Sequence, residues 1–250
     1  MEFKNISDIK RVQFITDFIQ KEVRSAGEVL DIGCGNGVIS RAVARLGHSV
    51  RGIDVSAKTI EAARSANNPP NVRFEVVAAG ELQPEPGKYD AIICSEVLEH
   101  LDRPSELLRI IQVSLKDTGV LLVTVPNGRG PRELFVTRPI QAMQKNNGVL
   151  WRMVSKVKSA MGYKGVTTQS AADDLTHIQF FTVKSLKALA AENGFKVVKM
   201  APSNFIEQVF PFSLVYKRSK SLQKFDCSLA DKLPVNFTSG FMSAWKKAVV

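Results

Sequence analysis

A chain of 250 residues, 44% hydrophobic and 23% charged, has an ordinary globular composition and is long enough to bury a full core. Its three cysteines, Cys34, Cys94 and Cys227, are odd in number and far apart, which excludes a disulfide framework, and without CxxC or paired Cys/His spacing no metal is expected. The net charge of +10 is lopsided, with 15 Lys and Arg against 17 Asp and Glu in residues 1–125 and 19 against 7 in residues 126–250.

In chain order, Ile6, Ile9, Val12, Ile15 or Phe18, Ile19 and Val23 recur at helical spacing and predict an amphipathic helix over 6–23. The charged opening "MEFKNISDIKRVQF" is unlike a signal peptide. The longest apolar run, near Val120 to Val125, is too short to cross a bilayer, so a cytoplasmic protein is expected. "EVLDIG" is a short apolar run ending in glycine and reads as a buried parallel strand. "NGVISRAVARLG" follows as a helix stopped by Gly47, and "HSVRGIDVS" as a second strand. Ser56 is placed to cap the helix "AKTIEAARSA". "NVRFEVVAA" and "YDAIICSE" are the third and fourth strands. Pro104 opens the helix that continues as "SELLRIIQVSL", and "GVLLVTVP" is the fifth strand.

This alternation predicts an α/β fold: a Rossmann-like, doubly wound and mostly parallel sheet of about seven strands with helices on both faces. Residues 127–181 break the pattern. "VLWRMVSKVKSAMG" puts Leu150, Met153, Val154, Val157 and Met161 on one helical face, so the stretch reads as a helical lid or substrate-binding insertion. "TVKSLKALAAENG" is a helix capped by Thr182 and ended at Gly194, and "FKVVKMA" a sixth strand. Residues 202–238 are mixed, aromatic and basic. "GFMSAWKKAVV" reads as a seventh strand, at an edge or paired antiparallel.

In such a sheet ligands bind beyond the carboxyl ends of the strands, and glycine lets the first strand-to-helix turn approach them closely. That turn is "VLDIGCGNGV". The dinucleotide pattern G-x-G-x-x-G would need glycine where Val38 stands; here Asp31 leads Gly33, Gly35 and Gly37. Asp54, ending the second strand, suits a ribose with two free hydroxyls and would repel a 2′-phosphate; its other reading is a cap for the next helix.

With "VLDIGCGNG", "VRGIDVS", "YDAIICSEVLEHL" and "GVLLVTVPN" in this order, residues 25–126 resemble the class I S-adenosylmethionine-dependent methyltransferases. "HIQFFTVKSLKALAAENGF" is similar to a stretch of small-molecule branches such as the quinone-biosynthesis O-methyltransferases. The resemblance implies a single methyltransferase domain over residues 1–250, with 127–181 as its inserted segment, and S-adenosylmethionine as cofactor. It implies that Asp31, Gly33 and Gly35 hold the methionine part, Asp54 the ribose, backbone near Ala79 the adenine edge, and Cys94 and Ser95 the methionine arm. Cys34, Asn36, Gly37 and Val55 complete the expected cofactor set. Many relatives carry an aspartate after the third strand for the adenine amino group. Ala78 stands there in this chain, which leaves Glu81 or backbone groups to substitute.

Methyl transfer from a sulfonium needs alignment and exclusion of water, and a general base when the nucleophile is a hydroxyl. His100 and His177 are the candidates. His100 follows the fourth strand, and Glu96 and Glu99 on the same loop either orient it or point to solvent; the other reading of His100 is a residue that orders the loop. His177 is expected to border the substrate pocket, and His48, at the opposite end of the sheet, to be structural. Phe180, Phe181, Phe205, Phe210 and Phe212 are expected mostly in core packing, with an apolar acceptor pocket as the other reading.

The expected acceptor is a hydroxyl of a small molecule, sugar or lipid precursor, acidic or lipid-linked. The basic half and the cationic, amphipathic "WRMVSKVKSAMGYK" suggest peripheral contact with anionic membrane; a lid helix over a solvated basic surface is the alternative. A nucleic-acid methyltransferase is disfavoured. "CSEVLEH" stands where amino-methylating enzymes of that kind carry an Asp/Asn-Pro-Pro-Tyr/Phe turn, and no RNA-binding module is visible. A silent cofactor-binding partner protein is the remaining reading.

Overall fold

The computed structural model describes residues 5–139 and 177–248, apart from 208, 210, 211 and 217. Its strands are β1 (Glu28–Ile32), β2 (Ser49–Asp54), β3 (Val72–Val76), β4 (Tyr89–Ser95), β5 (Leu115–Pro126), β6 (Phe195–Pro202) and β7 (Gly240–Lys247). Its helices are α1 (Ile6–Glu22), α2 (Val38–Ala44), α3 (Ala57–Arg64), α4 (Pro104–Ser114), α5 (Val183–Glu192), α6 (Phe212–Tyr216) and α7 (Lys220–Lys232). One sheet runs in the order β3-β2-β1-β4-β5-β7-β6. The pairs from β3 to β5 are parallel, and β7 is antiparallel to both β5 and β6. The chain winds outward from β1 to β3, then returns to place β4 on the other side of β1. Such a reversal of strand order opens a crevice at the carboxyl ends of β1 and β4.

Strand alternation divides the core between the two faces. Ile92 and Cys94 of β4 face Leu107, Leu108 and Ile111 of α4 and Leu186 of α5. Ala91 and Ile93 face Val12, Ile15 and Ile19 of α1 and Val43 of α2. The buried positions on α1 and α4 recur at three- and four-residue spacing, which is why these segments are helices here. Each such Leu, Ile or Val stabilises the sheet by about 1.5–3 kcal/mol, so Leu108→Asp would undo one face.

Helix ends follow the sequence signals. The Ser56 hydroxyl accepts the Thr59 amide at 3.3 Å, Pro104 sits in the first turn of α4, and Thr182 and Ser185 form a capping box.

β7 pairs antiparallel with both neighbours, the second of its two readings, and is an interior strand with Phe241 and Trp245 buried, while β6 forms the edge and guards it with exposed Lys196 and Lys199. The mixed region 202–238 contains the 13-residue α7. It buries Gln223 and Asp226 and exposes Phe225, the reverse of an ordinary apolar stripe. The polar residues work instead. Asp226 accepts the Phe205 and Ile206 amides, and Gln223 accepts the Ile6 amide, tying α7 to α1.

Of the expected insertion, residues 131–139 are helical and include a π-turn, Glu133–Thr137. Residues 140–176, with the amphipathic helix expected there and its suggested membrane contact, lie outside the described residues. No described helix is long and apolar enough to cross a membrane.

Candidate active site

The turn after β1 is shaped by backbone. Gly33, Gly35 and Gly37 have φ of 68°, 55° and 77°, the left-handed region that favours glycine. Space forbids a side chain as well: a Cβ on Gly33 would lie 2.4 Å from Val97, and one on Gly37 would lie 2.3 Å from the Phe74 ring. The Cys34 amide donates to the Ile53 carbonyl at 2.9 Å, pinning the turn to β2. Gly33, Cys34, Asn36, Val38, Ile39 and Ser95 line a cleft at the carboxyl ends of β1 and β4.

Two carboxylates flank it. Asp54 accepts the Gly35 amide at 3.0 Å and the Ser56 amide at 2.9 Å, so it orders the glycine turn and fixes the chain entering α3, whose cap is Ser56. An ionised carboxylate has about four lone-pair positions, which leaves two for ligand hydroxyls. The ribose reading of Asp54 thus keeps the acceptor positions it needs, while the cap reading falls to Ser56, whose hydroxyl takes the Thr59 amide. Asp31 is buried, and the Ser40 hydroxyl donates to it at 2.5 Å. Burial pushes its pKa up to about 7; the charge of Asp54 adds to this, and the Ser40 hydrogen bond opposes it. A carboxyl so placed becomes a good partner for an ammonium group.

The remaining cofactor candidates divide. Ser95 lines the cleft; it donates to Thr124 at 2.8 Å, and Thr124 donates on to Glu96 at 2.9 Å. Cys94 is fully buried in the core, so its side chain is turned away from any ligand there. Ala79 and Glu81 share a short 3₁₀ turn beyond β3, with Glu81 exposed, and Val55 is exposed at the rim. Asn36 is part of the turn, its backbone oxygen accepting from buried Arg41 at 2.8 Å. Glu96 has φ of 57°, an uncommon conformation for a residue with a side chain, at the crevice lip.

The two candidate histidines meet. The Ile178 and Gln179 amides both donate to the Glu99 carbonyl, at 2.8 and 2.9 Å, which brings the segment before α5 against the 3₁₀ turn after β4. The rings of His100 and His177 lie 5.1 Å apart. Glu99 is 1% exposed, and neither carboxyl oxygen has a hydrogen-bond partner. Burial holds it well above the usual carboxylate range, and the charge of Glu96 adds to this. Ligand atoms of Glu99, His100 and His177 all lie within 4.8 Å of one another, the grouping among the described residues whose donors could take a cation. Cysteine and histidine spacing gave no sign of it. The sequence reading also missed Glu133, buried and 3.3 Å from His177 Nδ1. His48 lies at the far end of β2, its Nδ1 accepting the Gly27 amide at 3.1 Å, a structural role as expected.

Phe181 packs in the core, while Phe212 is exposed; Phe210 lies outside the described residues.

A sheet with its strand-order reversal at a glycine turn, flanked by two carboxylates, is the architecture of a Rossmann-like methyltransferase. A family model described as a methyltransferase domain matches residues 8–200, and the chain belongs to that family. Among curated proteins it is similar to a ubiquinone biosynthesis O-methyltransferase of Ralstonia nicotianae, 37% identical over 122 residues, covering 47% of this chain and 50% of the relative. It is also similar to one of Burkholderia orbicola, 34% identical over 138 residues, covering 54% and 59%. The chain thus spans about half the length of the curated relatives it matches. In fold it is similar to an S-adenosylmethionine-dependent methyltransferase from Mesorhizobium loti, with TM-score 0.60, 16% identity, and coverage of 94% of this chain and 98% of that one. The 1,6-didemethyltoxoflavin-N1-methyltransferase of Burkholderia thailandensis gives TM-score 0.58 at 14% identity, covering 96% and 79%. The site fits S-adenosylmethionine: positive φ at Gly33, Gly35 and Gly37 folds the main chain tightly beside the cleft, Asp31 suits an amino group, and Asp54 suits a diol.

Proposed function

We propose that the chain is an S-adenosylmethionine-dependent O-methyltransferase acting on a hydroxyl of a small molecule, sugar or lipid precursor in the cytoplasm. Bound at the glycine turn, the cofactor supplies an electrophilic methyl group on a sulfonium. Asp31 holds the amino end, Asp54 the ribose, and the half-exposed turn at Ala79 the adenine edge. With an acceptor hydroxyl beside them, either His100 or His177 would serve as the general base that takes its one proton. The observation that carries this reading is the meeting of His100, His177 and buried Glu99 beyond β4, beside the Val97 that packs on Gly33. The names of the curated relatives support oxygen as the nucleophile.

The test is release of S-adenosylhomocysteine, with mass-spectrometric identification of products, over a panel of phenols, catechols, aliphatic alcohols, amines and tRNA. Methylation of a hydroxyl that is lost in His100→Ala supports the reading; methylation of tRNA alone, or of none, contradicts it.

The excess of 19 basic over 7 acidic residues in 126–250 supports an acidic or lipid-linked acceptor reached by peripheral contact with an anionic membrane. Co-sedimentation with vesicles should then require anionic lipid, and equal partition to neutral vesicles contradicts the idea.

A further inference from the structure

Glu133 is a carboxylate that no sequence motif announced. It is fully buried, its Oε1 lies 3.3 Å from His177 Nδ1, and the Thr137 hydroxyl donates to the same oxygen at 3.1 Å. It rides on the π-turn just beyond β5, a rare local geometry often found at functional sites. His177 is tethered independently, because the two amides that follow it donate to the Glu99 carbonyl. The imidazole therefore has its Nδ1 edge set against a carboxylate while its backbone is fixed from the β4 side.

We propose that Glu133 is a positioning residue that selects the Nδ1–H tautomer of neutral His177. A carboxylate accepts and does not donate, so the nitrogen facing it carries the proton and the lone pair falls on Nε2. A neutral imidazole without such a partner places its proton mainly on Nε2, which would leave that nitrogen unable to accept from a hydroxyl. Carboxylates orient catalytic histidines in this manner in hydrolytic triads. The catalytic consequence rests on the proposed function; the tautomer selection does not.

Three histidines make the measurement direct. Long-range proton–nitrogen correlation spectra, recorded in EDTA at a pH where the rings are neutral, report the tautomer of each, with His177→Gln assigning its signals. His48, whose Nδ1 accepts the Gly27 amide, is an internal Nε2–H reference. The expected result is Nδ1–H at His177 in the wild type, conversion to mainly Nε2–H in Glu133→Met, and retention of Nδ1–H in Glu133→Gln, whose amide oxygen still accepts. With any acceptor found in the panel, Glu133→Met should lower kcat by at least about 10-fold at unchanged S-adenosylhomocysteine affinity, with Glu133→Gln restoring most of it. A wild-type His177 in the Nε2–H form, or a Glu133→Met spectrum identical to wild type, would overturn the proposal. If Glu133→Met fails to fold, the wild-type and Glu133→Gln spectra decide it. A correct tautomer pattern in a protein that methylates nothing in the panel would leave the positioning role standing and the proposed reaction in error.

Discussion

Around β1 and β2 the crevice is shaped by main chain: three glycines at positive φ, amides at Cys34 and Gly35 in fixed hydrogen bonds, and two carboxylates within one short stretch of strand-turn-strand. Beyond β4 and β5 it is shaped by side chains from three segments, with Glu99 and His100 on one, Glu133 on a second and His177 on a third. The first arrangement is local and recurs as a motif because the backbone constraint is the same for any bearer of the cofactor. The second is assembled by tertiary contact, so its residues are free to vary with the acceptor. On the proposed function, the difference separates a donor side from an acceptor side, and each can be perturbed alone.

The largest effect should come from the acceptor side. His100→Ala and His177→Ala are each expected to slow methyl transfer by about 100-fold or more while S-adenosylhomocysteine affinity stays within about 2-fold, read by steady-state kinetics and calorimetry. A matching loss of cofactor affinity would erase the division.

The donor side should respond in binding instead. Gly33→Ala forces a side chain into φ of 68° and into Val97 at 2.4 Å. It should lower stability by about 1–3 kcal/mol and S-adenosylhomocysteine affinity by at least about 10-fold. Adding Val97→Ala should recover the part due to the clash and leave the part due to φ.

A gentler probe is pH. Asp31 is raised to about 7 in the fold, so its contribution to stability is fully present below its unfolded value near ~3.9 and is lost as pH rises toward 7. An ammonium ligand favours the ionised form. S-adenosylhomocysteine affinity should therefore rise about 10-fold from pH 6 to pH 8 and level off above. A flat profile would place the amino group elsewhere. The smallest effect is expected from Ser40→Ala, which removes the hydrogen bond that opposes the Asp31 shift. The midpoint of the affinity profile should move upward, at a stability cost of about 1 kcal/mol seen by denaturant titration.

The same division explains what was readable in the sequence. β1 to β5, the Ser56 and Thr182 caps and the turn from Asp31 to Gly37 declare themselves because their signals lie within a few residues of one another. Helix α7 did not, because Gln223 and Asp226 occupy its buried face and satisfy amides of distant segments. The interior place of β7 depends on pairing with β5 across half the chain. His100, His177 and Glu99 were visible as residues, but Glu133 was not, and the burial of both carboxylates was hidden because it is a property of the assembled fold.

The claim on which the donor side stands is that Asp54 holds the ribose as well as the Gly35 and Ser56 amides. Calorimetric titration of S-adenosylhomocysteine into wild type and Asp54→Asn tests it most directly. The account predicts saturable binding to the wild type and a loss of at least about 10-fold in Asp54→Asn, as for a hydrogen-bonded charge removed. Equal affinity in both proteins, or no binding to the wild type, would contradict it.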